Sequence, residues 1–185
     1  MAITAEEIIT RASTILQDAT GVRWPDTELL KWLNDGQREI VIRKPDANVR
    51  NESIMLDGDT KQSIPTEGLQ LMKITRNMGA DGKTPGRVIT LTTLDVMDKV
   101  LPDWHAETPV STIKSYIFDD RDPTRFYVYP PADGTSQIEI IFSAVPAEVG
   151  NTSDPITLKE VYANGLLDYI LYRAYSKDAD FSYNV

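Results

Sequence analysis

Few residues in this chain have the type and spacing for chemistry. The single histidine, His105, stands beside Trp104 in a Pro-bounded loop, 102–111. A Ser–His–Asp triad would need it, yet no G-x-S-x-G elbow or comparable nucleophile setting accompanies it. His105 therefore reads as a surface or packing residue. One histidine and no cysteine cannot assemble a histidine-rich or thiolate zinc site, and disulfides and cysteine nucleophiles are excluded with it. Asp119-Asp120-Arg121-Asp122 offers oxygen donors for a hard cation, but Arg121 supplies an internal counter-charge, as in a solvated hairpin turn. Asp178, Asp180, Ser182 and Asn184 alternate like the start of an EF-hand loop; Tyr183 stands where that loop needs glycine, and no terminal glutamate follows. Gly58, Gly79, Gly82 and Gly86 punctuate turns and form no phosphate-binding loop. Acidic residues are abundant, but none is set as a glycosidase-like pair rather than as solvated surface. No catalytic, cofactor or metal site is expected.

Charge points the same way. Nineteen basic against 28 acidic side chains give a net charge of −9. Residues 46–150 hold ten of the basic and sixteen of the acidic groups. Nucleic-acid binders cluster Lys and Arg against phosphates; here the basic residues come singly, apart from Arg43-Lys44. A surface past which DNA slides without sticking fits this balance. Apolar residues at 41% and charged residues at 25% are the proportions of a globular domain with a packed core. The apolar runs are too short to span a membrane, and the first residues lack the order of a secretory signal.

The elements that must position these residues follow from periodicity. Thr4-Ala5-Glu6-Glu7 reads as a capping box, and Ile8, Ile9, Ala12, Ile15, Leu16 and Ala19 continue a helical stripe, so a helix is predicted over Thr4–Ala19. A second runs Pro25–Lys44, with Leu29, Trp32, Leu33, Gly36, Ile40 and Val41 on its buried side and Pro45 ending it. Gly36 costs about 1 kcal/mol in a helix interior relative to Ala, which predicts a close helix crossing there or at Gly165. From residue 50 the period changes to that of strands. Ser53–Leu56 and Lys61–Ile64 flank Asp57-Gly58-Asp59 as a hairpin. Leu69–Arg76 and Arg87–Leu91 are further strands, and Thr92–Val100 is a short helix. Ile113–Phe118, Arg125–Tyr129 and Gln137–Ser143 then read as an antiparallel meander. On Arg125–Tyr129, Phe126 and Val128 share one face and Tyr127 and Tyr129 the other; one set is core and the other a candidate contact strip.

After a polar linker at 147–155, Thr157-Leu158-Lys159-Glu160 is a second capping box. It opens a long helix, Leu158–Lys177, carrying Val161, Leu166, Tyr169, Ile170 and Arg173. Stripes at opposite ends of the chain can be buried only against one another. The predicted fold class is therefore α+β: a helical bundle from 1–46 and 154–185, with an inserted antiparallel β-rich domain and a short helix in 47–153. Beyond Lys177 the stripe fades. Asp178, Asp180, Phe181 and Tyr183 then read either as a frayed end whose rings fold back on the bundle or as a terminal segment that orders against a neighbour through aromatic anchors.

Three stretches together resemble a known family. They are Arg23-Trp24-Pro25-Asp26-Thr27-Glu28-Leu29-Leu30-Lys31-Trp32-Leu33-Asn34-Asp35-Gly36-Gln37-Arg38-Glu39; Phe126-Tyr127-Val128-Tyr129-Pro130-Pro131, with Ile138–Phe142 and Pro146 after it; and Leu166-Leu167-Asp168-Tyr169-Ile170-Leu171-Tyr172-Arg173-Ala174-Tyr175-Ser176-Lys177-Asp178. In order and content they are similar to the head–tail adaptors of tailed phages, the tail tubular protein A group. The resemblance implies a non-enzymatic virion protein: a dodecameric ring below the portal that extends the DNA channel and carries the next tail or nozzle protein, with no cofactor. Synthesis in the bacterial host cytoplasm goes with it. Similar proteins continue past the Tyr175–Asp178 stretch into another helix, where this sequence reaches Val185. The rival assignments are another neck component, a stopper or tail terminator, and a virion-associated hydrolase using acidic residues. The interface candidates are Tyr127, Tyr129, Arg173, Tyr175, Asp178, Asp180, Phe181 and Tyr183.

Overall fold

The computed structural model describes residues 3–182. It is α+β, with four helices and two four-stranded sheets, and divides into two compact units: Met1–Asn48 with Val145–Val185, and Val49–Ala144. No helix among the described residues is long and apolar enough to cross a membrane.

The first unit contains α1 (Ala5–Ile15), α2 (Asp26–Arg43) and α4 (Ala163–Ser182). Its core joins Ile8, Ile9 and Ala12 of α1, Leu29, Trp32 and Leu33 of α2, and Leu166, Leu167, Ile170 and Ala174 of α4. Gly36 lies at the α2–α4 crossing: a Cβ there would stand 3.1 Å from both Leu166 Cδ2 and Tyr169 Cδ1, whereas nothing approaches Gly165.

Several boundaries differ from the periodic reading, each for a local reason. Thr4 Oγ1 accepts the Glu7 amide at 3.3 Å, but the α1 box is only half used. The Ala5 and Glu6 amides, which the box leaves over, go to the carbonyls of Asp154 and Thr152. α1 stops at Ile15, because Gln17 turns into the left-handed region (φ 57°). The second box does not open a helix. Thr157 Oγ1 donates to Ala147 O, and the Thr157 and Leu158 amides are taken by Gln37 Oε1. A single 3-10 turn, Glu160–Tyr162, intervenes before α4. At the other end α4 continues past Lys177 to Ser182.

The second unit holds β1 (Val49–Met55), β2 (Lys61–Ser63), β3 (Gly68–Met78), β4 (Pro85–Val88), β5 (Thr90–Thr92), α3 (Leu94–Val100), β6 (Ser115–Phe118), β7 (Arg125–Tyr129) and β8 (Gln137–Ala144). One sheet has the order β1-β8-β3-β4 and the other β2-β7-β6-β5. The predicted β1–β2 hairpin does not form. Its strands belong to different sheets, and Asp57-Gly58-Asp59 is a crossing held by Gln62, which bonds the Asp57 amide and carbonyl and the Asp59 carbonyl. The predicted three-strand meander is likewise divided: β6 pairs with β7, but β8 pairs with β1 and β3. One ladder, β5–β6, is parallel. Leu71, Ile74, Ile138, Ile140 and Phe142 of the first sheet and Tyr116, Phe126 and Val128 of the second share one buried core, as in packed antiparallel layers.

Candidate interaction surfaces

In the first unit, the start of α2 and the end of α4 meet in a charged aromatic clasp. Asp18 prepares it. Its carboxylate accepts the amides of Val22, Arg23 and Trp24, which turns the chain so that Trp24 is buried and packs 5.7 Å from Trp32. The same amides, Trp24 first, hold the Asp18 carboxyl below its ordinary value. Lys177 lies over both rings, 5.1 Å from the Trp24 centroid and 5.9 Å from that of Trp32. Its ammonium reaches Glu28 at 2.7 Å, and Arg23 reaches Asp178 at 2.6 Å. The clasp thus joins residues of the first and third family-like stretches. Exposed ion pairs of this kind contribute up to about 1 kcal/mol each; the buried tryptophans contribute more.

Around the clasp α4 presents an open face. Tyr172 and Tyr175 are exposed at 66% and 55% and lie one helical turn apart. Arg173 is exposed, has no ion-pair partner among the described residues, and borders a shallow pocket with Trp32, Glu28, Ser176 and Lys177. Of the interface candidates, Arg173 and Tyr175 are thus free at the surface. Asp178 is engaged by Arg23. Asp180 and Phe181 fall in the last turn of the α4 backbone, their side chains outside the description, and Tyr183 lies outside the described residues.

Two residues that periodicity did not single out hold the unit together. Asn34 and Gln37 are buried on α2. Asn34 Oδ1 accepts the Val149 amide at 2.9 Å and its Nδ2 donates to the Val149 carbonyl. Gln37 donates to Asn34 Oδ1 and accepts from Thr157 and Leu158. The segment expected to be a linker is therefore gripped by α2, with Val149 and Ile156 in the core. A signal for Gln37 did exist. It falls between Leu33 and Val41 at four-residue spacing, a polar side chain in an apolar stripe.

In the second unit, Phe126 and Val128 point into the core between the sheets. Tyr127 and Tyr129 lie on the opposite face, half-buried around Trp104 with Met97 and Ile117. The candidate contact strip is therefore largely occupied by the unit's own α3 and the loop after it. His105 stacks 3.6 Å from Trp104, with its Nδ1 2.8 Å from Thr60 Oγ1. Tyr129 donates to Glu107, and burial, then that carboxylate's charge, raises the phenol above its ordinary value. Asp119 is paired by Arg121 through both carboxylate oxygens, which lowers its pKa and leaves it less available to a cation. Among the described residues no cluster of His, Cys, Asp or Glu could hold a metal ion. Asn77, also missed, is buried and ties β3 to Arg87 O and to the amide and carbonyl of Ile113.

Comparison with known families gives one finding that spans both units: the family model described as SU10 adaptor protein matches residues 3–184. No curated protein matches the chain.

Proposed function

Since the chain belongs to the SU10 adaptor protein family, a family of structural phage proteins, we propose that it is a head–tail adaptor of the tail tubular protein A kind. In this reading it forms a dodecameric ring below the portal, extends the DNA channel and carries the next tail protein. The observation that supports it most is the extent of the match, which runs through both units. The clasp adds to it, because the residues that carried the family resemblance at the two ends of the chain meet there. The three helices act as one bundle in this reading. The bundle presents α4, with Arg173, Tyr172 and Tyr175, to a neighbour in the particle, and Asp178, Asp180, Phe181 and Tyr183 continue that contact. The acidic balance of residues 46–150 lets DNA pass, since each Lys–phosphate contact would add binding and drag.

Imaging of particle necks with this chain labelled tests the assignment: label in a ring between portal and tail is expected, and label elsewhere in the tail sinks it. An Arg173→Glu/Tyr175→Ala chain should melt like the wild type, because both residues are exposed, yet fail to enter particles. Incorporation at the wild-type level would remove α4 from the interface.

A further inference from the structure

The four sheet edges are not equally protected. β4 carries Pro85 and a bulge against β3, and β2 and β5 are three residues each. Proline, bulges and shortness are how proteins blunt an edge against pairing. β1 has none of these. It is seven residues long, without proline or glycine, and pairs in unbroken register with β8 on one side.

The direction of its free groups follows from one bond. Leu56 donates its backbone N–H to Ser136 O at 2.9 Å, which sets the phase of the antiparallel ladder. Arg50, Glu52 and Ile54 exchange bonds with β8, so the N–H and C=O groups of Val49, Asn51, Ser53 and Met55 point away from it. None of these outward groups has a backbone partner among the described residues. All four residues are exposed, Met55 at 63% and Val49 at 42%.

We infer that β1 is a docking edge for a second copy of this chain, two β1 strands pairing antiparallel about a two-fold axis and joining two four-stranded sheets into one. The occupant is argued from charge. Outward groups must meet outward groups, which leaves two central registers. Centred on Glu52, the pairing sets Glu52 against Glu52 of the second copy, and like charges directly opposite are destabilising. Centred on Asn51, it sets Arg50 against Glu52 of the second copy and Glu52 against Arg50 of the second copy. Val49 then faces Ser53, and Asn51 faces its own counterpart. The charged pairs fall at non-hydrogen-bonded positions, where side chains stand closest. Arg50 already reaches Glu52 at 3.7 Å and Glu67 at 3.2 Å, so the second copy extends an existing network. The strand is its own complement. An edge of this length makes a small interface, hence a weak, concentration-dependent dimer. The inference concerns the free chain and does not rest on the adaptor reading.

Sedimentation of the full chain up to about 100 µM tests it. The wild type should show a reversible monomer–dimer equilibrium. Asn51→Pro removes an outward donor and no bond to β8, so it should melt like the wild type and sediment as a monomer. Glu52→Arg should weaken dimerisation roughly tenfold by turning two attractions into repulsions. The double exchange Arg50→Glu/Glu52→Arg should restore it, and this pair of variants decides the matter even if N51P folds poorly. A wild type that stays monomeric, or an E52R chain that dimerises unchanged, overturns the proposal. A larger ring that N51P leaves intact overturns it too, while leaving the adaptor assignment standing.

Discussion

The two units solve the same burial problem across different spans of chain. The β unit is one continuous stretch, and its two buried amide side chains, Gln62 and Asn77, bond backbone groups of the same stretch beside an aliphatic and aromatic core. The helical unit is made from the two ends of the chain, and buried amide side chains on α2 grip a segment more than a hundred residues away. Apolar burial is non-directional, so it tolerates exchange of shape for shape. A buried amide with named backbone partners does not. Loss of a buried amide should therefore orphan backbone groups in either unit, but only in the helical unit does it also release the returning segment of the chain.

The largest effect should come from the β core. Phe142 is fully buried, and Phe142→Ala should cost about 3–5 kcal/mol. Thermal melting followed by Trp104, the tryptophan of that unit, would show it. Next come Asn34→Ala and Gln37→Ala. Each leaves amides of the return segment without partners and should cost about 1–3 kcal/mol, read from Trp24 and Trp32 in a Trp104→Phe background. If Asn34→Leu were as stable as the wild type, the contrast between the units would collapse. Lys177→Ala removes the cation over both indoles and should cost only about 0.5–1 kcal/mol, with a change in the Trp24 and Trp32 emission as its clearer sign.

The smallest effect is acid sensitivity, and it sharpens the comparison from the other side. Asp81, Asp119 and Asp133 of the β unit all have lowered pKa values, against Asp18 alone among the described residues of the helical unit. The amides of Thr84 and Lys83 and the Thr84 hydroxyl hold Asp81 at about 2, below its ordinary 3.8. A lowered carboxyl contributes stability that is complete above the ordinary value and lost as pH falls through the folded one. Between pH 3.8 and about 2, Trp104 should therefore report loosening before Trp24 and Trp32 do. The reverse order would show that turn aspartates are not what distinguishes the units.

Periodicity made the helices legible because α2 and α4 bury stripes of ordinary spacing, and it made Gly36 legible as a helix crossing. Strand positions were legible for the same reason; strand partners were not. Nothing in Gln137–Ala144 says that it lies between β1 and β3 rather than beside β7, because alternation fixes which face is buried and not which neighbour supplies the ladder. Local motifs misled where tertiary contacts took the same atoms. Thr157 looks like a cap, but its hydroxyl and amide are taken by Ala147 and Gln37. Tyr127 and Tyr129 were ambiguous in sequence because the cover over them, Trp104, lies in a loop without periodicity. Arg173, read as part of the last helical stripe, and Tyr175 are both exposed, because spacing alone does not mark where a stripe runs out from under its neighbours.

The division of the helical unit between the chain ends has a consequence during synthesis. α1 and α2 leave the ribosome with Ile8, Leu29 and Leu33 uncovered, and the helix that buries them is encoded after the whole β unit. At about 5–20 residues per second, translating residues 49–144 takes roughly 5–20 seconds. The inserted unit has time to fold first, so the nascent first helices wait with apolar faces open to chaperones and to one another. Residues 145–158, gripped by Asn34 and Gln37, are then the first part of the returning chain to reach them. The two buried amides thus act as the catch that ends the wait.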